Sequence, residues 1–380
     1  MGYRIPFNRP FFTGAELNNV ARALASGDIG GDGPFTKECQ QVLQSKFGAQ
    51  RALLTTSCTA ALEMTALLCE LKEGDEVIMP SYTFVSTANA FLLRGAKPVF
   101  VDIRRDTLNM DESLLVQAIT PRTKAIVPVH YAGVACEMDT IVRVARDRGL
   151  FVIEDAAQGV NATYKQKYLG TLGDLGTYSF HESKNFACGE GGALLVNKDE
   201  FSERAEIIRE KGTNRAKFFR GQVDKYTWVD TGSSYVPADV LAAILLAQLK
   251  GVDLITQERK RVFNTYRTAL QPLADQGLAG LPSIPPHCVS NFHMFYMVLN
   301  DLETRSALIT HLKREGILSV FHYVPLHTSS VGEQLGYQPG MLPVTEYISD
   351  RLLRLPLFAG LTNSEIDNVV EEILSFFSMR

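Results

Sequence analysis

The chain has 380 residues, of which 46% are hydrophobic and 21% are charged, and its formal net charge at pH 7 is −4. This balance suits a protein with a large apolar core and argues against a broad nucleic-acid-binding surface. Because there is no signal-peptide core at the N-terminus and no run near the roughly 20 apolar residues of a membrane helix, we expect a cytoplasmic protein without membrane contact.

The cysteines do not have the spacing of a metal site or a disulfide framework, so we expect reduced thiols and no bound metal. They are scattered over the whole chain, at Cys39, Cys58, Cys69, Cys136, Cys188 and Cys288.

From residue 50 onward, short apolar runs alternate with helical patterns. The patterns predict strands over 51–55, 76–79, 98–102, 124–129, 151–154, 176–180 and 193–196. They predict helices over 59–71, 83–93, 111–119 and 138–148. Successive strands joined by helices pair in parallel and form a sheet covered on both faces. The predicted fold class is therefore α/β, with a large, mostly parallel sheet.

A long helical pattern over 238–270 ends this alternation. The rest of the chain predicts strands over 294–299 and 318–324 and helices over 305–315 and 365–377. We therefore predict two domains, a large α/β domain over residues 1–250 and a small C-terminal α+β domain over residues 251–380.

Ligands of parallel sheets bind at the carboxyl ends of the strands, where polar segments follow several predicted strands here. Ser57, Cys58 and Thr59 come just before or at the start of a predicted helix, so their amides and hydroxyls would face an anion above its N-terminus. An ordinary helix cap is the alternative. Ser179, on the strand before Lys184, offers another hydroxyl on the same side of the sheet.

Lys184 lies between the strands predicted over 176–180 and 193–196, among aromatic and small residues. Loss of hydration would favour its neutral amine, which is the form that attacks carbonyl groups to make a Schiff base. A solvated loop lysine is the alternative explanation of this residue.

Asp155 closes a hydrophobic strand, where a carboxylate needs a cation or hydrogen-bond donors. A protonated pyridine nitrogen is such a cation. Phe84 could cover a flat ring, although it also fits ordinary core packing, and Gln158 could hydrogen-bond a ring substituent. Together with a phosphate site and Lys184, these residues match pyridoxal 5'-phosphate (PLP).

Five short segments of the chain carry a resemblance to a known family. The segments that carry it are Ser-Cys-Thr at 57–59, Pro-Ser-Tyr-Thr-Phe at 80–84, Pro-Val-His-Tyr-Ala-Gly at 128–133, Glu-Asp-Ala-Ala-Gln at 154–158 and Ser-Phe-His-Glu-Ser-Lys-Asn at 179–185. The chain resembles the DegT/StrS-type sugar-nucleotide aminotransferases from residues 5–7 to 355–358. Residues 210–228 and 232–235 are most similar to the branch that makes dTDP-4-amino-4,6-dideoxygalactose from dTDP-4-keto-6-deoxyglucose in enterobacterial common antigen synthesis.

The resemblance implies a PLP-dependent transferase of fold type I, like aspartate aminotransferase, that uses glutamate as amino donor and forms a homodimer with shared active sites. It implies Lys184 as the catalytic Schiff-base lysine. The cofactor-binding residues that it implies are Cys58, Thr59, Phe84, Asp155, Gln158, Ser179 and Lys184. One position departs from the family: Tyr235 is followed by Val236, where many members place an asparagine that reaches the partner's phosphate.

Substrate residues are suggested by charge and position. Arg215 and Arg220 belong to a basic, aromatic run that could meet a diphosphate and a thymine ring, and a solvated loop is the alternative. His322 resembles the family's sugar-site histidine, and His130 lies at a strand's carboxyl end. Either histidine could instead be structural.

Other functions remain as alternatives. A family branch that dehydrates sugars at C3 carries histidine in place of the lysine, so Lys184 argues against it. Transamination of another sugar position, epimer or nucleotide stays open, as does the C4 configuration of the product. A non-enzymatic regulator would not need the complete lysine, aspartate and phosphate set. A Schiff-base aldolase would require a closed eightfold barrel, which the C-terminal pattern does not support.

Overall fold

The computed structural model describes residues 2–379. Two helices, α1 (Glu16–Ser26) and α2 (Pro34–Phe47), precede the sheet. The carboxylate of Asp239 caps α2, since it accepts hydrogen bonds from the backbone N–H groups of Phe35 and Thr36 at 3.1 and 2.7 Å. Gly33 makes room for it, because a Cβ there would lie 2.5 Å from the Asp239 carboxyl carbon.

The next part of the chain alternates strands and helices. The strands, in chain order, are β1 (Arg51–Thr55), β2 (Glu76–Pro80), β3 (Lys97–Val101), β4 (Thr123–Ile126), β5 (Phe151–Asp155), β6 (Thr163–Tyr164), β7 (Lys167–Tyr168), β8 (Leu175–Ser179) and β9 (Gly192–Val196). The helices are α3 (Cys58–Leu68), α4 (Val85–Leu92), α5 (Leu115–Ala118), α6 (Met138–Arg148), α7 (Ser202–Arg209) and α8 (Arg215–Phe219).

The large sheet has the order β1-β9-β8-β5-β4-β2-β3. Every pair from β3 to β8 is parallel, whereas β9 is antiparallel to both of its neighbours. The reason lies in the connections, because parallel neighbours need a long crossover and the chain returns from β8 to β9 through the turn at 180–191. The predicted α/β fold with a large, mostly parallel sheet is confirmed.

The C-terminal part has a smaller sheet of order β10-β12-β13. Its strands are β10 (Ala279–Gly280), β11 (Cys288–Val289), β12 (Phe295–Leu299) and β13 (Leu352–Leu355), of which β11 pairs instead with β6. Before this sheet, α9 (Asp239–Lys250) packs against α1 and α2. The helices that follow are α10 (Val252–Asp275), α11 (Leu302–Arg314), α12 (Ser330–Gln334), α13 (Pro343–Arg351) and α14 (Asn363–Ser378). Apolar residues of α10, α11 and α14 pack with this sheet in one hydrophobic cluster.

Two sequence predictions in this part were wrong. The helix predicted over 238–270 is two helices, α9 and α10, that meet at Gly251, where a Cβ would lie 2.6 Å from the Thr13 side chain. The strand predicted over 318–324 is not formed, and its place beside β12 is taken by β13, which the sequence analysis missed. Only Val320 of this segment bridges to β13, at Arg354, so the residues after it are free to line a cavity.

No helix within residues 2–379 combines the length and the apolar character needed to span a membrane. Across the same residues, no cluster of three His, Cys, Asp or Glu side chains is arranged to bind a metal ion. The cysteines in this part of the chain are free and buried.

Candidate active site

A cavity of about 450 Å³ opens at the carboxyl ends of β5 and β8, beside the N-terminus of α3. This is the position at which parallel sheets bind ligands. The structure brings together on its wall all the residues predicted to bind the cofactor, namely Cys58, Thr59, Phe84, Asp155, Gln158, Ser179 and Lys184. These residues come from four separate segments of the chain, at 57–59, 80–84, 154–158 and 179–185.

Lys184 is partly buried in the turn that follows β8. Its backbone N–H donates to the carbonyl oxygen of His181 at 2.9 Å, which closes the turn. Burial lowers the pKa of the Lys184 amine, and the nearby Arg354 charge lowers it further, while Cys58 and Asp155 oppose the shift. The structure therefore shifts this amine toward its neutral, nucleophilic form.

Asp155 ends β5 as a buried carboxylate with one side open to the cavity. Its Oδ2 accepts a 2.7 Å hydrogen bond from the Thr87 hydroxyl, and its Oδ1 accepts a 3.1 Å hydrogen bond from the backbone N–H of Ala157. No Lys, Arg or His within residues 2–379 forms an ion pair with it. An oriented carboxylate without a cationic partner is suited to the protonated ring nitrogen of PLP.

The N-terminus of α3 also lines the cavity. Ser57 caps the helix, because its hydroxyl accepts a 3.0 Å hydrogen bond from the Ala60 N–H, and the Thr59 hydroxyl donates to Ser86 at 2.8 Å. First-turn N–H groups have no acceptor within their helix, so they favour an anion such as a phosphate. Burial, with the Asp155 charge, raises the pKa of the Cys58 thiol well above its usual range, so this side chain stays neutral.

Gln158 and Phe84 also line the cavity. The Gln158 side-chain oxygen accepts a 2.7 Å hydrogen bond from the Ala132 N–H, and its amide group donates to the Tyr323 hydroxyl at 3.2 Å. Phe84 is 57% exposed, so core packing does not account for it. Its ring centroid lies 6.5 Å from that of Tyr323. An exposed aromatic ring beside an oriented amide fits a flat heterocycle.

Of the predicted substrate residues, His322 alone lies on the cavity wall in the described part of the chain. Its Nδ1 lies 2.9 Å from the Tyr131 hydroxyl, and burial lowers its pKa well below the usual range. His130 is fully buried elsewhere, with its Nε2 2.8 Å from a Glu154 carboxylate oxygen and its Nδ1 3.2 Å from the Cys136 N–H. This placement matches the structural alternative for His130.

Arg215 and Arg220 also lie outside this cavity. They border a separate cleft of about 410 Å³ together with Phe219. Arg215 pairs with Glu210 at 3.3 Å and Arg220 with Glu206 at 2.8 Å. Val236, at the position that departs from the family, packs against Gly31, where a Cβ would approach its side chain to 2.3 Å.

The sequence analysis missed cavity residues that come from the N-terminus and the C-terminal part, namely Phe7, His293, Tyr323 and Arg354. His293 Nδ1 lies 2.8 Å from the side-chain oxygen of Asn185, the neighbour of Lys184, and burial lowers the pKa of His293 well below its usual range. Tyr323 follows the predicted His322 directly, so that motif could have indicated it. No local pattern marks Arg354.

Comparisons with known proteins agree with this geometry. Residues 12–374 match the DegT/DnrJ/EryC1/StrS aminotransferase family. The chain is 35% identical over 377 residues to the spore coat polysaccharide biosynthesis protein SpsC of Bacillus subtilis, with 97% of this chain and 96% of that protein covered. Its structure resembles the aminotransferase TlmJ from Streptoalloteichus hindustanus, with a TM-score of 0.91, 30% identity and 99% of each chain covered. The PLP form of Spr1654 from Streptococcus pneumoniae gives a TM-score of 0.91, 29% identity and the same coverage.

Proposed function

The chain belongs to the DegT/DnrJ/EryC1/StrS aminotransferase family, and from this premise we propose that it moves an amino group from L-glutamate to C4 of dTDP-4-keto-6-deoxy-D-glucose. The products are dTDP-4-amino-4,6-dideoxy-D-galactose and 2-oxoglutarate. The enzyme is a PLP-dependent sugar aminotransferase of fold type I. The similarity of residues 210–228 to one branch of the family supports the choice of sugar.

The observation that carries the proposal is the placement of Lys184 and Asp155 in one cavity, with a lowered amine pKa and a carboxylate that has no cationic partner among residues 2–379. PLP, when bound, supplies an electron-withdrawing ring that accepts the electron pair left when a proton is removed from the donor. Asp155 would hold the proton on the ring nitrogen. The N-terminus of α3 and Ser179 would hold the phosphate.

Lys184 would act as the proton carrier at the reacting carbon. Its neutral amine would take the α-proton of glutamate in the first half of the reaction and return a proton to C4 of the sugar in the second half. The burial that lowers its pKa increases the share of the neutral amine, which is the form able to accept a proton.

We also infer a cytoplasmic homodimer with shared active sites. The segment over 210–235 exposes large aromatic residues, with Phe219 at 70% and Trp228 at 78% exposure. Such exposure on a segment that also carries Arg215 and Arg220 fits a surface covered by a second copy of the chain. In that arrangement the basic side chains would reach the partner's substrate.

Product analysis tests the proposal. Purified protein is incubated with PLP, glutamate and dTDP-4-keto-6-deoxyglucose, and NMR gives the configuration at C4. An axial amine supports the galacto-configured product. An equatorial amine would give dTDP-4-amino-4,6-dideoxyglucose, which moves the enzyme to another sugar pathway with the same chemistry. If no amine forms, the proposed sugar is wrong, and other keto sugar nucleotides become the substrates to test.

A further inference from the structure

A serine, a histidine and a glutamate form a hydrogen-bonded series beside the cavity, and the proposed function gives them no role. Ser81 follows β2, and its Oγ lies 2.7 Å from Nδ1 of His327. Nε2 of His327 lies 2.9 Å from Oε1 of Glu346, a residue of α13. We call these three residues the Ser81–His327–Glu346 triad.

The triad has the order of a Ser-His-acid nucleophilic site, but its burial excludes that chemistry. Ser81 and His327 are fully buried, so no substrate reaches the hydroxyl. The Ser81 hydroxyl oxygen is also engaged by the backbone, since it accepts a 3.0 Å hydrogen bond from the His327 N–H. The effect of the triad therefore lies in the segments that it joins.

The proton positions in the triad follow from its partners. Burial alone would raise the pKa of Glu346, but hydrogen bonds from His327 and from the Gly340 N–H outweigh it and hold this pKa below its ordinary value. A carboxylate only accepts hydrogen bonds, so Nε2 of His327 carries a proton. Because Ser81 Oγ accepts from the backbone N–H, its own proton goes to Nδ1. Both ring nitrogens are used, and the ring orientation is fixed.

Ser81 also satisfies the backbone of the segment that contains His327. Residues Leu326–Thr328 form a single 3₁₀ turn, whose first N–H groups have no acceptor within the turn. The Leu326 N–H donates to the Ser81 carbonyl oxygen at 3.1 Å, and the His327 N–H donates to Ser81 Oγ. One serine thus accepts from two consecutive N–H groups and donates to the ring of the second residue.

The two segments joined in this way border the cavity. Besides the contacts of Ser81, the Tyr82 hydroxyl donates to the carbonyl oxygen of His322. Phe84 from one segment and Tyr323 from the other both line the cavity, with ring centroids 6.5 Å apart. The first segment continues into α4, whose Thr87 orients the Asp155 carboxylate. A shift between the segments would therefore move several cavity groups together.

Helix α13 gives the triad a fixed support. Its N-terminus is capped by Asp102, which follows β3 and accepts hydrogen bonds from the backbone N–H groups of Val344 and Thr345 at 2.9 and 2.8 Å. The same helix holds the second segment directly, because the Ser349 hydroxyl donates to the Tyr323 carbonyl oxygen at 2.6 Å.

We propose that His327 is a positioning residue, which through Ser81 holds residues 81–84 against residues 322–327 and so sets the distance between Phe84 and Tyr323. This inference rests on the proposed function, which places the flat ring of PLP beside Phe84. His327 touches neither the cofactor nor a substrate. It would act by keeping the two aromatic walls of the site in register before the cofactor binds.

The test compares His327→Gln with His327→Asn. The amide of glutamine reaches the position of Nε2 and keeps the Glu346 contact, whereas the amide of asparagine takes the position of Nδ1 and keeps the Ser81 contact. For H327Q we expect the dissociation constant of PLP to rise by about 10-fold, the size expected for one lost hydrogen bond. For H327N it should rise by less than about threefold. Equilibrium dialysis provides the measurement.

Thr345→Val is the control for a general loss of stability. It removes a buried 2.7 Å hydrogen bond from the Thr345 hydroxyl to Asp102, which also joins α13 to the large sheet but does not involve Ser81. We expect T345V to lower the melting temperature about as much as H327Q does and to leave the PLP dissociation constant within about threefold of wild type.

A second measurement uses the cofactor-free protein. Hydrogen exchange at the N–H groups of Leu326 and His327, followed by mass spectrometry, reports directly whether the two segments stay joined. Exchange should be at least about 10-fold faster in H327Q than in wild type or H327N. If H327Q does not fold, Ser81→Ala removes the same contact from the other side and should give the same two results.

Three results would overturn the inference. One is PLP affinity and N–H exchange in H327Q that equal those of wild type. The others are equal losses of PLP affinity in H327N and H327Q, or a loss in T345V as large as that in H327Q. Failure of the proposed function looks different, because H327Q and H327N would still differ in N–H exchange while wild type aminated no keto sugar nucleotide.

Discussion

Lys184 shows the conflict between stability and function at the scale of one residue. Its amine is placed among Cys58, Asp155 and Arg354, where burial disfavours the charged form. In an unfolded chain the same amine is fully hydrated and keeps its ordinary pKa of about 10.4. Folding therefore releases a proton from Lys184, or buries its charge, and either event costs free energy at neutral pH.

Lys184→Met should abolish turnover and at the same time raise the stability of the cofactor-free protein at pH 7. The unfolded state of the wild type binds more protons than the folded state, so wild-type stability increases with pH up to roughly 10.4, the ordinary pKa of lysine. The advantage of the variant should therefore shrink as the pH rises. Thermal melts at pH 7 and pH 10 measure both effects, and a pH-independent difference would contradict the lowered pKa.

Asp155→Asn should keep the fold and reduce amine formation by at least about 100-fold, which corresponds to the roughly 2–3 kcal/mol of a hydrogen bond to a charged group. Asparagine preserves the shape of the side chain but cannot hold a proton on a ring nitrogen by charge. Thr87→Val should cause a smaller loss of activity, since it keeps the Asp155 charge and removes only the 2.7 Å hydrogen bond that orients the carboxylate. Steady-state rates with saturating PLP test whether Asp155→Asn loses more activity than Thr87→Val. Equal losses in the two variants would argue against the Asp155 charge as the cause.

At the scale of elements, the contact between β9 and α3 shapes the proposed phosphate site. Gly192 begins β9, and a Cβ there would lie 2.3 Å from the backbone carbon of Ser57 and 2.4 Å from the Cys58 nitrogen. The strand can therefore approach the first turn of the helix only because residue 192 has no side chain. Together with Gly191, Gly192 also ends the turn that carries Lys184.

Gly192→Ala should weaken PLP binding by at least about 10-fold, because the N-terminus of α3 must move away from the strand and its N–H groups lose their alignment with the phosphate. Equilibrium dialysis of PLP against the cofactor-free protein provides the measurement. Gly30→Ala is the control, since nothing lies within 4 Å of a Cβ at that exposed position. Unchanged PLP affinity in the Gly192 variant would show that the helix N-terminus is not the phosphate site.

At the scale of the whole molecule, the exposed aromatic residues of the segment over 210–235 determine the expected assembly. Phe219 and Tyr226 each pack edge to face against Phe218, and the three rings leave much of their area open. Contiguous apolar surface of this kind is uncommon on a monomer. The proposed dimer would cover it.

The chain contains a single tryptophan, Trp228, whose fluorescence can report this assembly. Since Trp228 is 78% exposed in one chain, we expect its emission to shift to shorter wavelength as dimers form with increasing concentration. Phe219→Asp should shift the equilibrium toward monomer in analytical ultracentrifugation, whereas Leu17→Asp, at another exposed apolar position, should not. A wild-type chain that stays monomeric at micromolar concentration would refute the dimer.

The division into domains at residue 250 stays a prediction. Gly251, between α9 and α10, coincides with the proposed boundary. The cavity draws on both proposed domains, because Lys184 and Asp155 precede the boundary while His322 and Arg354 follow it. A motion of one part against the other would therefore change the site directly.

The sequence by itself determined the α/β class, the strands on both sides of Lys184 and the predicted cofactor-binding residues, which the structure places around one cavity. These features depend on local patterns and on ligand sites that follow strands in chain order, and such signals survive in a linear sequence. Only the tertiary structure decided that β9 runs antiparallel to its neighbours and that β13, rather than residues 318–324, pairs with β12. Strand partners are chosen by long-range packing, which local pattern does not encode. The same holds for Arg354, which reaches Lys184 across 170 positions of the chain because β13 carries it there.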